Sequence, residues 1–234
     1  MKLTNATALI TGGSSGIGRA IAKIFIEAGA KVAITGRHRD CLVAAEQELG
    51  VYAIHADVSK EDDVKRTMEE TLAEFGHLDI LVNNAGFGVF HELLDQDLAS
   101  FEAVMATNVT GAMLMAREAA HHFVERNQGN LINIASTAAL RGALRGTAYY
   151  ASKFALRGMT ECWRAELRKH NVRVMLVNPS KVVTGFFDTA GLPQHANDSK
   201  LRGEEIAHAV KSILEMDDRS FTTELTVFAT NPHD

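Results

Sequence analysis

Short apolar stretches alternate with amphipathic stretches along most of the chain. Several stretches rich in Val, Ile and Leu are apolar at successive positions, which is typical of strands covered on both faces of a sheet. These predicted strands span residues 6–11, 31–36, 51–57, 78–84, 129–136, 172–179 and 225–230. Helical periodicity lies between them, at about 17–28, 39–49, 60–75, 97–127, 148–170 and 203–216.

Alternating strands and helices predict an α/β fold in which right-handed crossovers join the strands of one parallel sheet. Ligands of such sheets bind at the carboxyl ends of the strands. We therefore expect functional residues where the strands end, at Thr11, Gly36, Asp57, Asn84, Ser136 and Asn178. With 234 residues, three prolines and no tract typical of a linker, residues 1–234 are expected to form a single domain.

Composition narrows the function classes. The net charge of −5 disfavours general nucleic-acid binding, which needs a basic face. The two cysteines, Cys41 and Cys162, match no metal or redox motif, and we expect them to be buried thiols of a cytoplasmic protein. No metal site is predicted. Residues 1–5 are too short for a signal peptide, and no apolar run is expected to approach membrane-spanning length.

A glycine-rich turn, TGGSSGIG at residues 11–18, joins the first strand to the first helix. Glycines let backbone N–H groups approach a pyrophosphate at a helix N-terminus, where the dipole favours negative charge. The spacing differs from the common G-x-G-x-x-G form. Its position in an alternating chain nevertheless predicts a dinucleotide site formed by Gly12, Ser14, Ser15, Gly16, Ile17 and Gly18.

The end of the second strand indicates which dinucleotide is bound. NAD enzymes of this architecture usually carry an acidic residue there, which bonds the adenosine ribose. Here the strand ends in Gly36 and is followed by Arg37. Because a guanidinium suits a 2′-phosphate, we expect NADP(H) as the cofactor and Arg37 as its main determinant. The alternative is a solvated basic turn.

Further motifs follow in order. NNAG occupies residues 83–86, Asn108 lies in the long fourth helix, Ser136 stands thirteen residues before Tyr149, and Lys153 follows Tyr149 by four. With the glycine turn and NPSKVVT at 178–184, they make nearly the whole chain resemble the short-chain dehydrogenase/reductase family, 3-oxoacyl-[acyl-carrier-protein] reductases in particular. The resemblance implies a Rossmann-type, doubly wound, seven-stranded parallel sheet with helices on both faces, and an oxidoreductase transferring hydride between a nicotinamide and a carbonyl or alcohol carbon.

The resemblance also assigns catalytic roles. Tyr149 and Tyr150 both adjoin Lys153 on a helix, and the family pattern selects Tyr149 as the proton donor and acceptor. Lys153 would lower its pKa from the ordinary value near 10 and hold the nicotinamide ribose. Ser136 would hydrogen-bond the substrate oxygen. Asn108 would hold a water that relays protons to the lysine.

More cofactor contacts come from the same resemblance. Asp57 and Val58 match the pair beside the adenine. Asn84, Ala85 and Gly86 match the segment beside the adenosine ribose, and Val182 and Thr184 match the loop at the nicotinamide carboxamide. Ser180 departs from the pattern, since Pro-Gly is usual there, and serine restricts the backbone more than glycine.

The substrate side is less determined. Its expected walls are residues 87–92, 139–146 and 185–200, with a substrate lid at about 185–202. Phe186 and Phe187 either close over an apolar substrate or anchor the loop. Arg141 and Arg145 are either ordinary solvated arginines or contacts for an acidic group such as the phosphate of an acyl carrier.

Three classes of function stay open from the sequence. The leading one is an NADPH-dependent reductase of a small-molecule ketone, with an acyl-carrier-bound 3-oxoacyl thioester as one candidate. The alternatives are a dehydrogenase of a pteridine, sugar or hydroxy-amino acid, and a non-catalytic regulator that senses NADPH. By resemblance the helix that carries Tyr149 and Trp163 lies in a subunit interface, which implies a homodimer or homotetramer.

Overall fold

The computed structural model of the chain describes residues 1–186 and 199–230. Within these residues seven parallel strands form one sheet in the order β3-β2-β1-β4-β5-β6-β7, which confirms the predicted seven-stranded doubly wound fold. The strands are β1 (Thr7–Thr11), β2 (Lys31–Gly36), β3 (Tyr52–His55), β4 (Ile80–Asn83), β5 (Gly129–Ile134), β6 (Val172–Pro179) and β7 (Glu224–Val227). The order reverses direction between β1 and β4, where such sheets bind ligands.

Helices cover both faces of the sheet. They are α1 (Gly16–Glu27), α2 (Arg39–Leu49), α3 (Glu61–Phe75), α4 (Leu98–Met105), α5 (Ala112–Arg126), α6 (Thr147–Leu167) and α7 (Gly203–Leu214). Successive residues of β1 point into different cores, as the two-residue period of a strand requires. Ile10 packs with residues of α1 and α7, whereas Leu9 packs with residues of α3 and α5.

Several strands are shorter than their apolar patterns predict. The predicted strand 78–84 is observed as Ile80–Asn83, and 129–136 as Gly129–Ile134. The ladder between these two strands ends at the pair Asn83 and Asn133. Beyond it the backbone bonds side chains instead, as where the Asn84 N–H donates to the Thr11 hydroxyl. The residues past the ladder therefore belong to loops at the carboxyl edge.

The long fourth helix is interrupted. The predicted run 97–127 divides into α4, a π-helical segment at Ala106–Gly111, and α5. The joined 29 residues, Leu98–Arg126, are long and apolar enough to cross a membrane by length and composition alone. The expectation that no apolar run approaches this length is therefore wrong. Packing accounts for the apolar content of α5, because Met115, Ala119 and Phe123 are fully buried against the sheet.

Both cysteines are exposed, so the prediction of buried thiols is wrong. Cys41 lies on α2 beside the buried stripe formed by Leu42 and Ala45. Cys162 lies on α6, two residues beyond the buried Thr160. Each cysteine falls just outside the face that its helix turns to the core, and a local apolar pattern does not separate these neighbouring positions.

Buried polar contacts fix α6 against the sheet. The Asn133 side chain, fully buried in β5, donates a hydrogen bond of 2.8 Å to the Thr160 hydroxyl. Two helical turns earlier the Lys153 ammonium donates to the Ile134 carbonyl at 3.0 Å. Since an unmade bond at a buried polar group costs roughly 1–3 kcal/mol, these two bonds define where the helix sits along the strand.

Candidate active site

A cavity of about 740 Å³ opens at the carboxyl edge of the sheet, beside the reversal in strand order. It brings together most of the residues that the sequence predicts for the site. Those lining it are Gly12, Ser14, Ser15, Gly16, Ile17, Arg37, Asp57, Val58, Asn84, Ala85, Gly86, Ser136, Tyr149, Lys153, Val182 and Thr184. Gly18 and Asn108 are not part of this lining and lie behind it.

The glycines of the turn have different tasks. Gly12 has a left-handed backbone (φ +63°), and a Cβ there would lie 3.0 Å from the Ala85 Cα atom. A Cβ on Gly18 would lie 2.4 Å from the Gly12 carbonyl oxygen, so this glycine lets α1 pack against the turn. A Cβ on Gly16 (φ +53°) would meet the Thr184 side chain at 3.4 Å, on the cavity side. The turn therefore needs glycine both for its path and for close packing.

Thr11 ties the turn to the segment that follows β4. Its hydroxyl accepts hydrogen bonds from the backbone N–H groups of Asn84 and Ala85, both at 3.0 Å. The Asn84 side chain returns bonds to the carbonyls of Thr11 and Gly12, at 2.9 and 3.1 Å. Thr11 was expected to be functional only as the end of its strand, and its contacts with Asn84 and Ala85 were not predicted. The signal available was a hydroxyl residue directly before the glycine turn.

Arg37 lies across the cavity from an aromatic side chain that the sequence did not single out. Its guanidinium carbon is 5.8 Å from the centroid of the Phe87 ring, within the range of a cation–π contact. The carboxylate of Asp57, on the same side, accepts from the backbone and hydroxyl of Ser59 at 3.0 and 2.8 Å. This end of the cavity therefore presents a guanidinium together with a carboxylate already engaged by its own loop.

These features fit a nicotinamide dinucleotide. The helix α1 begins at Gly16 with no acidic residue in its first turn, so its positive dipole end is available to a phosphate. Arg37 adds a second positive group on the same cavity wall. Across residues 1–186 and 199–230, no cluster of three or more His, Cys, Asp or Glu side chains could hold a metal ion.

Tyr149 lies between the two other predicted catalytic groups. The Ser136 side chain lies close enough to the Tyr149 phenol to lower its pKa. Ser136 is itself held by the backbone N–H of Ala138, which donates to its Oγ atom at 3.1 Å. On the other side, the Lys153 ammonium is 5.7 Å from the centroid of the Tyr149 ring. The helix α6 thus presents tyrosine and lysine together at the end of β5.

Burial dominates the pKa values of this pair. It raises the pKa of Tyr149 to about 12, against the opposing effect of the Ser136 side chain and with a smaller contribution from Tyr150. Burial also lowers the pKa of Lys153 to about 8. The net shift of the Tyr149 pKa is therefore opposite to the lowering expected from Lys153. Both side chains shift toward their neutral forms.

Asn108 organises the backbone behind the cavity. It is almost fully buried and accepts from the Phe87 N–H at 3.0 Å while donating to the Phe87 carbonyl at 2.9 Å. Its amide also donates to the Ser152 hydroxyl at 3.0 Å, and that hydroxyl donates to the Tyr149 carbonyl. Asn108 therefore joins the segment after β4 to the catalytic helix. The water relay implied by resemblance stays a prediction.

Three aromatic rings surround the ring of Tyr149. The ring centroids of Phe90, Phe186 and Tyr150 lie 5.6, 5.3 and 6.0 Å from it. Phe90 and Phe186 both lie in segments expected to form the substrate walls. Phe187 and residues 187–198 of the expected lid lie outside the described residues. Arg141 and Arg145 are exposed, and neither is part of the described lining of the cavity.

The loop after β6 closes the cavity beside Gly16. Val182 is buried and pairs with Leu201 in an isolated parallel bridge. Ser180, the departure from the family pattern, donates its backbone N–H to the Val227 carbonyl at 2.9 Å. Its φ is not in the left-handed region. Serine is therefore accommodated where the family usually has glycine.

Comparison of the sequence with protein families gives a match to the short chain dehydrogenase model over residues 6–194. Among curated proteins, the chain is 39% identical over 190 residues to (+)-borneol dehydrogenase 2 of Salvia officinalis, covering 79% of this chain and 67% of that one. It is 36% identical over 190 residues to zerumbone synthase of Zingiber zerumbet, covering 79% and 71%.

Solved structures agree over almost the full length. A 3-ketoacyl-(acyl-carrier-protein) reductase from Brucella melitensis, complexed with NADH, has a TM-score of 0.90 and 30% identity, covering 97% of this chain and 98% of that one. A metagenomic short-chain oxidoreductase in complex with NADP has a TM-score of 0.86 and 32% identity, covering 99% and 100%. The two structures contain different nicotinamide cofactors.

Proposed function

Because the chain belongs to the short-chain dehydrogenase family and is an oxidoreductase of that family, we propose that it is an NADPH-dependent reductase that converts a small ketone to an alcohol. The family acts on alcohols and ketones with a nicotinamide cofactor. The direction, the preference for NADPH and the substrate are the parts that we propose. The observation that supports them is the placement of Tyr149, Ser136 and Lys153 on the lining of the cavity that Arg37 also lines.

The state of Tyr149 favours the reductive direction. With a pKa near 12 the phenol is protonated at neutral pH, so it holds the proton that a ketone oxygen needs as it becomes an alcohol. Ser136 donates to the same oxygen and stabilises the negative charge that develops there. When bound, the nicotinamide supplies the hydride to the carbonyl carbon. The protein thus provides the proton and the cofactor provides the hydride.

The position of Lys153 allows its ammonium to act on Tyr149. Its ammonium lies beside the tyrosine ring and is fixed by the Ile134 carbonyl. A positive charge at this place favours the phenolate left after proton transfer. With a pKa near 8, the lysine also exchanges its proton readily close to neutral pH. We therefore assign Lys153 the restoration of the tyrosine proton between turnovers.

The proposed reaction is tested by NADPH oxidation against a panel of ketones, with Tyr149→Phe as the comparison. This variant keeps the ring and removes the proton donor, so we expect turnover to fall by at least about a hundredfold. NADPH affinity, measured by calorimetry, should stay within about threefold, roughly 0.7 kcal/mol. A Tyr149→Phe enzyme with near wild-type turnover would overturn the proposed mechanism.

The preference for NADPH rests on Arg37. A guanidinium forms charge-assisted bonds to a 2′-phosphate, each stronger than a neutral hydrogen bond. Arg37→Glu should therefore lower kcat/KM for NADPH by about tenfold to a hundredfold and leave NADH affected less. Arg39→Glu is the matched control, because Arg39 is exposed and outside the described cavity lining. Equal losses in both variants, or an unchanged cofactor ratio, would show that Arg37 does not select the cofactor.

Two kinds of ketone have support from the comparisons. Curated relatives are named for borneol and zerumbone, whereas a structural neighbour is a 3-ketoacyl-(acyl-carrier-protein) reductase. The exposed positions of Arg141 and Arg145, away from the cavity lining, give no support to their use on a carrier phosphate. We therefore favour a small free ketone over a carrier-bound thioester. An acetoacetyl thioester in the ketone panel compares the two directly.

A further inference from the structure

The space beside the catalytic tyrosine has aromatic walls. Phe90, Tyr150 and Phe186 all lie within 6.0 Å of the Tyr149 ring, measured between ring centroids, and all line the same cavity. We call these three side chains the aromatic wall. Each ring presents apolar faces and edges, which favour another ring at offset or edge-to-face geometry. A carbonyl group that reaches Tyr149 therefore brings the atoms attached to it against aromatic surface.

Glycines in the backbone hold the aromatic wall in place. A Cβ on Gly88 would lie 3.0 Å from atoms of both the Phe90 and the Phe186 ring. A Cβ on Gly146 would lie 2.2 Å from the Tyr150 ring. The loop that carries Phe90 is also joined to the start of α6, which carries Tyr150, because His91 and Gly146 form a parallel bridge. The rings pack directly on main chain and have little room to turn away from an occupant.

The three rings of the aromatic wall carry no formal charge. The charged side chains on the described lining of the cavity are Arg37, Asp57, Lys153 and Lys181, and the Lys153 ammonium is fixed on the Ile134 carbonyl. A substrate anion held against the three rings would lose hydration at aromatic surface.

We infer that the substrate is an uncharged ketone whose carbonyl is part of, or attached to, an apolar ring that packs against Phe90, Tyr150 and Phe186. This inference rests on the proposed function, since it names the substrate class of the same site. The aromatic wall holds the ring, while Tyr149 and Ser136 take the carbonyl oxygen. A small open-chain ketone reaches the same two donors but leaves the aromatic wall uncovered.

A matched pair of ketones tests the inference without turnover. 4-Methylcyclohexanone and 4-oxocyclohexanecarboxylate share a ring and differ in one neutral or anionic substituent. Their affinity for the enzyme loaded with NADP⁺, which cannot reduce them, is measured by calorimetry. We expect the neutral ketone to bind at least about tenfold more tightly than the anion. Equal binding, or tighter binding of the carboxylate, would overturn the inference.

Variants then locate the contact. Phe90→Ala and Phe186→Ala should each weaken 4-methylcyclohexanone binding by about tenfold. Phe228→Ala is the matched control, because Phe228 is 62% exposed and outside the described cavity lining. In turnover with NADPH, both wall variants should lower kcat/KM for 4-methylcyclohexanone by about tenfold and for 2-butanone by less than about threefold. Equal losses on the two ketones would mean that the rings are structural and would contradict the inference.

The experiment separates failure of the substrate class from failure of the proposed function. If the wild-type enzyme oxidises NADPH with no ketone of the panel, the reductase proposal fails. Ring-ketone binding that depends on Phe90 and Phe186 would still support the aromatic wall as the ligand site. If NADPH reduces open-chain ketones as well as ring ketones, the reductase proposal holds and the substrate class is wrong.

Discussion

In the catalytic pair, burial of the Lys153 charge lowers the stability of the folded protein. Lys153 is 5% exposed, and its ammonium has one described hydrogen-bond acceptor, the Ile134 carbonyl. Burial therefore lowers its pKa to about 8 from an ordinary value of 10.5. Below pH 8 the lysine is charged in both the folded and the unfolded chain, so the folded state bears the full cost of the buried charge. As pH rises to 10.5 that cost is relieved.

This titration predicts a pH dependence of stability. Between the two pKa values the unfolded chain binds more protons at Lys153, so the free energy of unfolding should rise with pH. Lys153→Met removes the titration. Relative to the variant, the wild-type protein should gain roughly 2 kcal/mol between about pH 7.5 and about pH 10. Urea unfolding of both proteins across this range measures the difference.

The control for this prediction is Lys23→Met, since Lys23 lies exposed on α1 and its ion pair with Glu27, on the same helix face, is also exposed. Its unfolding curve should follow that of the wild-type protein at every pH. The rise of the Tyr149 pKa to about 12 lowers stability above pH 10, but it affects the wild-type protein and the variants alike. Parallel pH profiles of the wild type and Lys153→Met would contradict the pKa of about 8.

Among the elements, the π-helical segment at Ala106–Gly111 has a specific consequence for the site. It occurs where Asn108 bonds both backbone groups of Phe87 and the hydroxyl of Ser152. A π-bulge widens a helix by one residue and is frequent at functional sites. Here the local widening coincides with a side chain that connects the loop after β4 to α6 by hydrogen bonds.

Removal of the Asn108 amide should destabilise the packing of the loop after β4 against α6. Asn108→Ala leaves partly buried backbone groups of Phe87 and the buried hydroxyl of Ser152 without this partner, so we expect the free energy of unfolding to fall by roughly 2–4 kcal/mol. Gln47→Ala, an exposed amide on α2, should change it by less than about 0.5 kcal/mol. Urea unfolding at constant pH compares the two. If Asn108→Ala lowers the free energy of unfolding no more than Gln47→Ala does, the role of Asn108 in connecting the two elements is contradicted.

The sequence predicted elements better than it predicted contacts. The bounds of α2 at 39–49 and of β2 at 31–36 agree with the structure, since Gly50 in the left-handed conformation ends α2 and an apolar run forms β2. The π-helical segment was not predicted, since Asn108 continues the helical periodicity around it. Phe90 fell within the expected substrate wall 87–92, but its ring contact with Tyr149 was not predicted, because the two residues lie far apart in the sequence and meet only in three dimensions.

For the whole molecule, a groove of about 960 Å³ lies on the face formed by α3, α5 and α6. Its apolar lining includes Met68, Leu72, Met113 and Trp163, and Glu69, Glu125 and Lys65 lie around them. By resemblance the helix that carries Tyr149 faces a second subunit. The groove includes Trp163 of that helix, so we propose that a second copy of this chain packs there.

A charge placed in this groove should separate the copies. Ala120 lines the groove on α5 and is absent from the described hydrophobic core clusters. Light scattering after size exclusion should give the wild type a mass of at least twice the 25.4 kDa of one chain. Ala120→Arg should move it toward a single chain, whereas Ala44→Arg on the exposed face of α2 should not. A monomeric wild type would exclude the proposed assembly.

The position of β1 in the middle of the sheet also means that its two edges pair at different times as the chain leaves the ribosome. Ala8 pairs with Val32 on one side and with Ile80 on the other, and β4 in turn pairs with β5 at Asn130. A nascent chain can join β1 to β2 early, but the opposite edge of β1 stays open until residue 80 leaves the ribosome. Open strand edges favour aggregation during synthesis. Translation speed across residues 40–80 should therefore influence how much of the protein reaches its native fold.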